Sequence, residues 1–143
     1  MRRAIWIVAL LLVTAACSTA GTPAATPTAE KADQRTPAEA HTLTIDAFAD
    51  ILTNESDAYT IVNVHIPYEG EIDGTDLKIA YNDVEALTAG LPDKDAPIIL
   101  YCRSGNMSAQ ATQALVERGY RQVYDVPGGM IAWQTSGREI VDR

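Results

Sequence analysis

From Leu43 onward, short β-branched runs alternate with stretches whose apolar residues fall at helical spacing. Leu43-Thr44-Ile45 reads as a short strand. Asp46 can cap a helix in which Phe48, Ile51 and Leu52 share one face. Thr60 to Val64, TIVNV, reads as a buried strand. Ile66 to Asp76 carries Pro67, Gly70 and Gly74 and reads as a loop. Lys78 to Tyr81 is a further short strand. Asn82 or Asp83 caps a short helix that Gly90 and Pro92 end. Pro97 to Tyr101 is the most apolar strand. Ser108 to Arg118 is a helix stopped by Gly119, and Gln122 to Val126 is the last strand. Gly128-Gly129 breaks the chain before a final helix, Met130 to Thr135. This alternation predicts an α/β domain with a small parallel sheet and helices on both faces. No internal repeat is visible.

Ahead of this region the pattern changes twice. Arg2 and Arg3 precede an unbroken apolar run, Ala4 to Val13, and then Thr14-Ala15-Ala16-Cys17. A charged start, a short apolar run and small residues are the parts of a secretory signal. The run is too short to span a bilayer, which needs ~20 residues. The Cys directly after the small residues makes 1–16 resemble a bacterial lipoprotein signal, VTAAC serving as the lipobox. Cys17 would then be lipidated and become the mature N-terminus, tethering the protein to a membrane outside the cytoplasm. An ordinary cleaved signal with a chance Cys is the alternative. In residues 18–42, 18 of 25 positions are Ala, Thr, Pro, Ser or Gly, and none is Val, Ile, Leu or aromatic. Such a stretch cannot bury enough apolar surface to offset its ordering entropy. Residues 17–42 therefore read as a lipidated Cys and a flexible tether, with His41 solvated at its end. The folded domain is expected over 43–143.

Composition narrows the function. The chain has 143 residues, 47% of them apolar, which suits one folded domain behind a tether. A net charge of −8 argues against a nucleic-acid partner, because phosphate contacts need a basic face. Two Cys and two His are too few for a disulfide scaffold or a metal site, and no cofactor is expected. If Cys17 carries lipid, Cys102 is the only thiol left. An unpaired Cys outside the cytoplasm is a liability unless it is buried or used.

The stretch that carries chemistry is ILYCRSGNMSAQATQAL, Ile99 to Leu115. An apolar strand ends, Cys102 follows, a loop passes through Gly105, and a helix begins near Ser108. Ligands of parallel α/β sheets bind beyond the carboxyl ends of strands, where Cys102 stands. Loop amides and a helix N-terminus converging there stabilise an anion, and the nearest anion is the Cys102 thiolate. The thiol thereby becomes a nucleophile near neutral pH. The alternative is a buried, inert Cys, although such a residue needs no polar, Gly-containing turn after it.

These residues resemble a family. CRSGN followed by a helix is similar to the active-site loop of rhodanese-like domains. Val126 to Trp133, VPGGMIAW, resembles their closing GG-x-x-x-W element. Ile61 to His65 stands where they carry a hydrophobic-Asp-Val-Arg strand, and Gly70 to Thr75 resembles their G-H-I-P-G-A turn. The resemblance implies a small single-domain sulfurtransferase without a cofactor. Cys102 would attack a sulfane sulfur, hold it as a persulfide and pass it to a thiol, cyanide or protein acceptor. Backbone N–H groups from Arg103, Ser104, Gly105, Asn106, Met107 and Ser108 would cradle the persulfide, with hydroxyls of Ser104 and Ser108 as further donors. Trp133 would be core or pocket wall.

Departures from the family pattern set the expected donor. The sixth loop position, commonly Arg, is Met107. An Arg there offers a planar fork for oxyanions, and Met offers an apolar thioether instead. Thiosulfate should therefore bind less well than a thiol persulfide. Arg103 is expected to face solvent or an acidic neighbour. Asn63, His65 and Glu71 replace the usual Asp, Arg and His. His65 either faces the pocket and donates to an incoming anion or is a strand-end His bonded to backbone. Tyr68, Glu69 and Glu71 line the mouth or form a solvated rim. A tyrosine-phosphatase-type enzyme would need Arg at position 108, which is Ser. The remaining alternative is a non-enzymatic module that senses thiol redox state or binds a protein.

Overall fold

The structure, a computed structural model, describes residues 38–143. The expected signal peptide, Cys17 and most of the expected tether lie outside the described residues. Five parallel strands form one sheet in the order β1-β5-β4-β2-β3. They are β1 (Glu39–Thr42), β2 (Thr60–Asn63), β3 (Leu77–Lys78), β4 (Ile98–Tyr101) and β5 (Gln122–Asp125). The helices are α1 (Ile45–Asn54), α2 (Val84–Gly90), α3 (Asn106–Glu117) and α4 (Gly129–Thr135), with a 3-10 turn at Ser56–Ala58.

The hydrophobic alternation of the strands divides the core in two. Val62, Ile98, Leu100, Cys102 and Val123 pack with Leu87 of α2 and Ala111 and Leu115 of α3. Ile61, Ile99 and Tyr101 pack on the other face with Phe48 of α1 and Met130 and Trp133 of α4. Every residue of β4 is buried, as its central place in the sheet requires. Each such buried Ile or Leu contributes roughly 1.5–3 kcal/mol. Trp133 is core: its ring lies 5.8 Å from that of Phe48, and its Nε1 donates to the Glu139 carbonyl at 2.9 Å.

The first strand corrects the expected boundary. β1 lies within the stretch that composition assigns to the tether, so the domain includes Glu39 to Thr42 and does not start at Leu43. Its backbone pairs with β5 from Glu39↔Gln122 to Thr42↔Asp125, while its side chains stay largely exposed. An edge strand held by main-chain bonds leaves little apolar signal. His41 is not merely solvated, because its ring stacks on Tyr124 at 5.0 Å. Leu43 to Ile45 is not a strand. Thr44 caps α1, its side chain accepting from the Ala47 amide, and Asp46 falls in the first turn. In the Lys78–Tyr81 region the ladder pairs with β2 at Leu77–Lys78, and the Ile79 and Tyr81 amides then donate to the Asn63 and Val64 carbonyls at 3.0 and 3.1 Å. Asp83 caps α2, accepting from the Ala86 amide at 3.0 Å.

The loop from Ile66 to Asp76 is fixed from below. Tyr101 Oη accepts from the Ile72 amide at 3.0 Å and shares a hydrogen bond with Thr75 Oγ1 at 2.6 Å. Desolvation outweighs these bonds and pushes the Tyr101 hydroxyl up to about 12. Asn63 donates to the Gly70 carbonyl at 3.0 Å and accepts from the His65 amide at 3.0 Å. An ionised Asp in that place would lack the donor.

Candidate active site

Cys102 directly follows β4 and is 1% exposed. Its Sγ accepts from the Gly105 amide at 3.1 Å. Gly105 is the N-cap of α3, with φ 95 and ψ −18, and no side chain caps that helix. The first turn holds no acid. The amides of Asn106, Met107 and Ser108 therefore have no acceptor within the helix, and the positive end of its dipole faces the sulfur uncompensated. α3 begins two residues before the expected Ser108, because the left-handed Gly105 turns the chain into the helix early.

A second wall closes the loop. The Met130 amide donates to the Cys102 carbonyl at 3.0 Å and the Ile131 amide to the Arg103 carbonyl at 2.9 Å. This contact depends on Gly129, whose φ is +47 and whose added Cβ would lie 1.9 Å from the Cys102 carbonyl oxygen. Likewise a Cβ on Gly105 would lie 2.8 Å from the Gly128 nitrogen. The two motifs of the sequence are thus halves of one object. The CRSGN loop presents the sulfur, and the Gly128-Gly129 turn holds the loop's backbone.

The other expected site residues divide into two groups. Ser108 is fully buried and donates from Oγ to the Gly105 carbonyl at 3.1 Å, so its hydroxyl bonds the loop's own backbone. Met107 is partly buried against the core that contains Cys102. Ser104 and Asn106 are exposed, and Asn106 Oδ1 accepts from Gln110 Nε2 at 3.3 Å. Arg103 turns to an acidic neighbour: its guanidinium donates to Glu69 Oε2 at 2.6 Å. The same oxygen lies 3.4 Å from His65 Nε2. The His65 side chain is 8% exposed, and neither ring nitrogen has a hydrogen-bond partner. Glu69 thus gathers His65 and Arg103 on one flank of the loop. A cleft of about 180 Å³ there is lined by Glu69, Arg103, Met130, Gln134 and Ile140. Glu71 is buried, with Lys78 Nζ at 3.3 Å from its carboxylate.

Sequence reasoning missed Asp125, which ends β5 beside the Cys102 strand. An acid at the carboxyl end of a strand adjoining the nucleophile's strand was the available signal.

With this geometry described, the family follows. The model of the rhodanese-like domain matches residues 55–136, and the chain belongs to that family. It is 46% identical over 48 residues to a sulfurtransferase of Allochromatium vinosum, covering 34% of this chain and 45% of that protein. It is 43% identical over 49 residues to the thiosulfate sulfurtransferase GlpE of Pseudoalteromonas translucida, covering 34% and 47%. The chain thus spans about half the length of the curated relatives it matches. A rhodanese-like domain protein of Staphylococcus aureus superimposes with a TM-score of 0.55 at 28% identity, over 71% of this chain and 99% of that one. A Rhodopseudomonas palustris protein described as a possible tyrosine phosphatase shares the fold, with a TM-score of 0.63 at 22% identity, over 71% and 84%.

Proposed function

We propose that this domain is a sulfurtransferase that carries sulfane sulfur on Cys102, taken from a thiol persulfide in preference to thiosulfate. The observation that carries the reading is the Gly105 amide, 3.1 Å from Cys102 Sγ at the uncapped start of α3. A fixed donor aimed at sulfur, with the neighbouring free amides beside it, suits the charged added sulfur of a persulfide. The thiolate attacks the sulfane sulfur of the donor. The donor's S–S bond breaks, and its electron pair leaves with the donor thiolate, or with sulfite when the donor is thiosulfate. Cys102 then holds a persulfide anion. A thiolate or cyanide acceptor attacks the terminal sulfur, and the bonding pair returns to Cys102. No oxidant is consumed.

The donor preference rests on what the loop lacks. Its one guanidinium, Arg103, is paired with Glu69, and Met107 offers no fork to an oxyanion. Met107→Arg is expected to lower the KM for thiosulfate about tenfold to a hundredfold, the worth of one charge-assisted hydrogen bond. The KM for glutathione persulfide is expected to stay near its starting value. Steady-state thiocyanate formation with each donor checks this, and an unchanged or raised thiosulfate KM contradicts it.

The proposal extends to location. Cys17 is read as the lipid-bearing residue that tethers the domain to a membrane of the bacterial envelope, outside the cytoplasm. Palmitate labelling of the chain made in a bacterial host is expected to require Cys17, and label on Cys17→Ser contradicts it.

A further inference from the structure

Asp125 is a carboxylate that the proposed sulfur transfer does not use. Val123 packs in the same cluster as Cys102, and strand alternation puts Asp125 on that face, beneath α3. Its Oδ1 is buried without a hydrogen-bond partner. The donors beside the carboxyl are the Ser108 hydroxyl and the Val126 amide. Both are directed elsewhere: Ser108 to the Gly105 carbonyl at 3.1 Å, and Val126 to the Leu100 carbonyl at 3.1 Å. Burial pushes the Asp125 carboxyl above its ordinary range.

Ser108 has a single hydroxyl proton and is sealed from water. That proton has two claimants. One is the carbonyl of Gly105, whose amide donates to Cys102 Sγ. The other is Asp125. We propose that Asp125 is a positioning residue for the Cys102 loop, competing with the Gly105 carbonyl for the Ser108 hydroxyl. While Asp125 is protonated, Ser108 stays on Gly105 and pins the left-handed turn that aims the amide at sulfur. When Asp125 ionises, Ser108 turns to the carboxylate. Gly105 then keeps only its helix partner, the Ala109 amide at 3.0 Å. The face that holds Cys102 also gains a negative charge. Both changes weaken stabilisation of the thiolate. Ionisation of Asp125 therefore restrains the reactivity of Cys102 as pH rises.

On β1 the residues on the Asp125 side are Ala40 and Thr42, while His41 lies on the opposite side against Tyr124. α3 turns Ser108 and Thr112 inward, and its one charged residue, Glu117, is in its last turn. Just past β4 the titratable neighbour is Cys102 itself, and Arg103 beyond it is held by Glu69.

The inference rests on Cys102 being the reactive group of the proposed function, and its test needs no sulfur donor. Alkylation of Cys102 by iodoacetamide is followed across pH by peptide mass in the full chain. The wild type, Asp125→Asn, Ser108→Ala and the double variant are compared. The rate ratio of Asp125→Asn to wild type is expected to rise from about one at low pH to about threefold to tenfold at high pH, the worth of one hydrogen bond. In the Ser108→Ala background the same comparison is expected to give a ratio that does not vary with pH. A wild-type-background ratio that does not vary with pH overturns the proposal. So does a pH-dependent ratio that survives in the Ser108→Ala background, because charge alone then acts. Asn is isosteric with Asp, and following the ratio across pH cancels any constant structural effect. A chain that never forms a persulfide still gives a readable ratio, and a flat ratio leaves a measured persulfide standing.

Discussion

Cys102→Ser is expected to lower sulfur transfer by about a thousandfold or more, because it removes the atom that bonds the transferred sulfur. The substitution is close to isosteric, and its oxygen can still accept from the Gly105 amide. A serine hydroxyl, however, is a weak nucleophile at neutral pH and forms no persulfide. Thiocyanate formation from cyanide and either donor should therefore fall to the rate of a protein-free control. The fold should survive, because the sulfur contributes one polar contact and a modest buried volume to a core that also holds Leu100, Ala111 and Leu115. Turnover that persists in a folded Cys102→Ser chain would rule out the covalent route.

Gly129→Ala is expected to be the most damaging single-methyl change in the domain. The added Cβ would meet the Cys102 carbonyl oxygen at 1.9 Å and the Arg103 carbonyl carbon at 3.0 Å, all backbone that no side-chain rotation can relieve. The start of α4 must then withdraw from the loop, which breaks the Met130 and Ile131 amide bonds at 3.0 and 2.9 Å. A cost of about 4 kcal/mol or more follows from overpacking, two lost bonds and a positive φ. In a domain of this size that lowers the Tm by about 16 °C or more. Gly119→Ala is the control. Its φ of +86 carries the same kind of strain, but nothing lies within 4 Å of the added Cβ. It should cost about 1 kcal/mol. Thermal unfolding of the two variants checks the difference, and equal losses would contradict the docking of α4 on the loop.

Much of the fold was legible in the sequence because β2 and β4 are buried apolar runs and Gly and Pro separate the elements, while β5 announces itself only through Val123 and Tyr124. The edge strand β1 was not, because EAHT buries almost nothing and is held by main-chain pairing with β5. The start of α3 was misplaced because its N-cap is a left-handed Gly and not a Ser, Thr or Asp. At the site, Cys102 and Gly105 were readable from the strand–loop–helix pattern. The expected acidic neighbour of Arg103 was readable in kind but not in identity. Glu69 lies 34 positions earlier in the chain and reaches Arg103 only through the fold. His65 was read as either a pocket group or a strand-end His bonded to backbone; instead its Nε2 lies 3.4 Å from the Glu69 oxygen that pairs with Arg103. Asp125 escaped because the role we propose for it depends on Ser108, which the family resemblance had assigned to the persulfide.

The central claim is that Cys102 carries sulfur, and intact mass measures it directly. The reduced chain is incubated with glutathione persulfide, and separately with thiosulfate, then weighed and mapped by peptide mass. The account predicts a gain of about 32 Da on Cys102, faster from the persulfide and lost again on adding cyanide. A folded chain whose Cys102 alkylates readily but takes no sulfur from either donor would contradict it, and would make the domain a binding or thiol-sensing module.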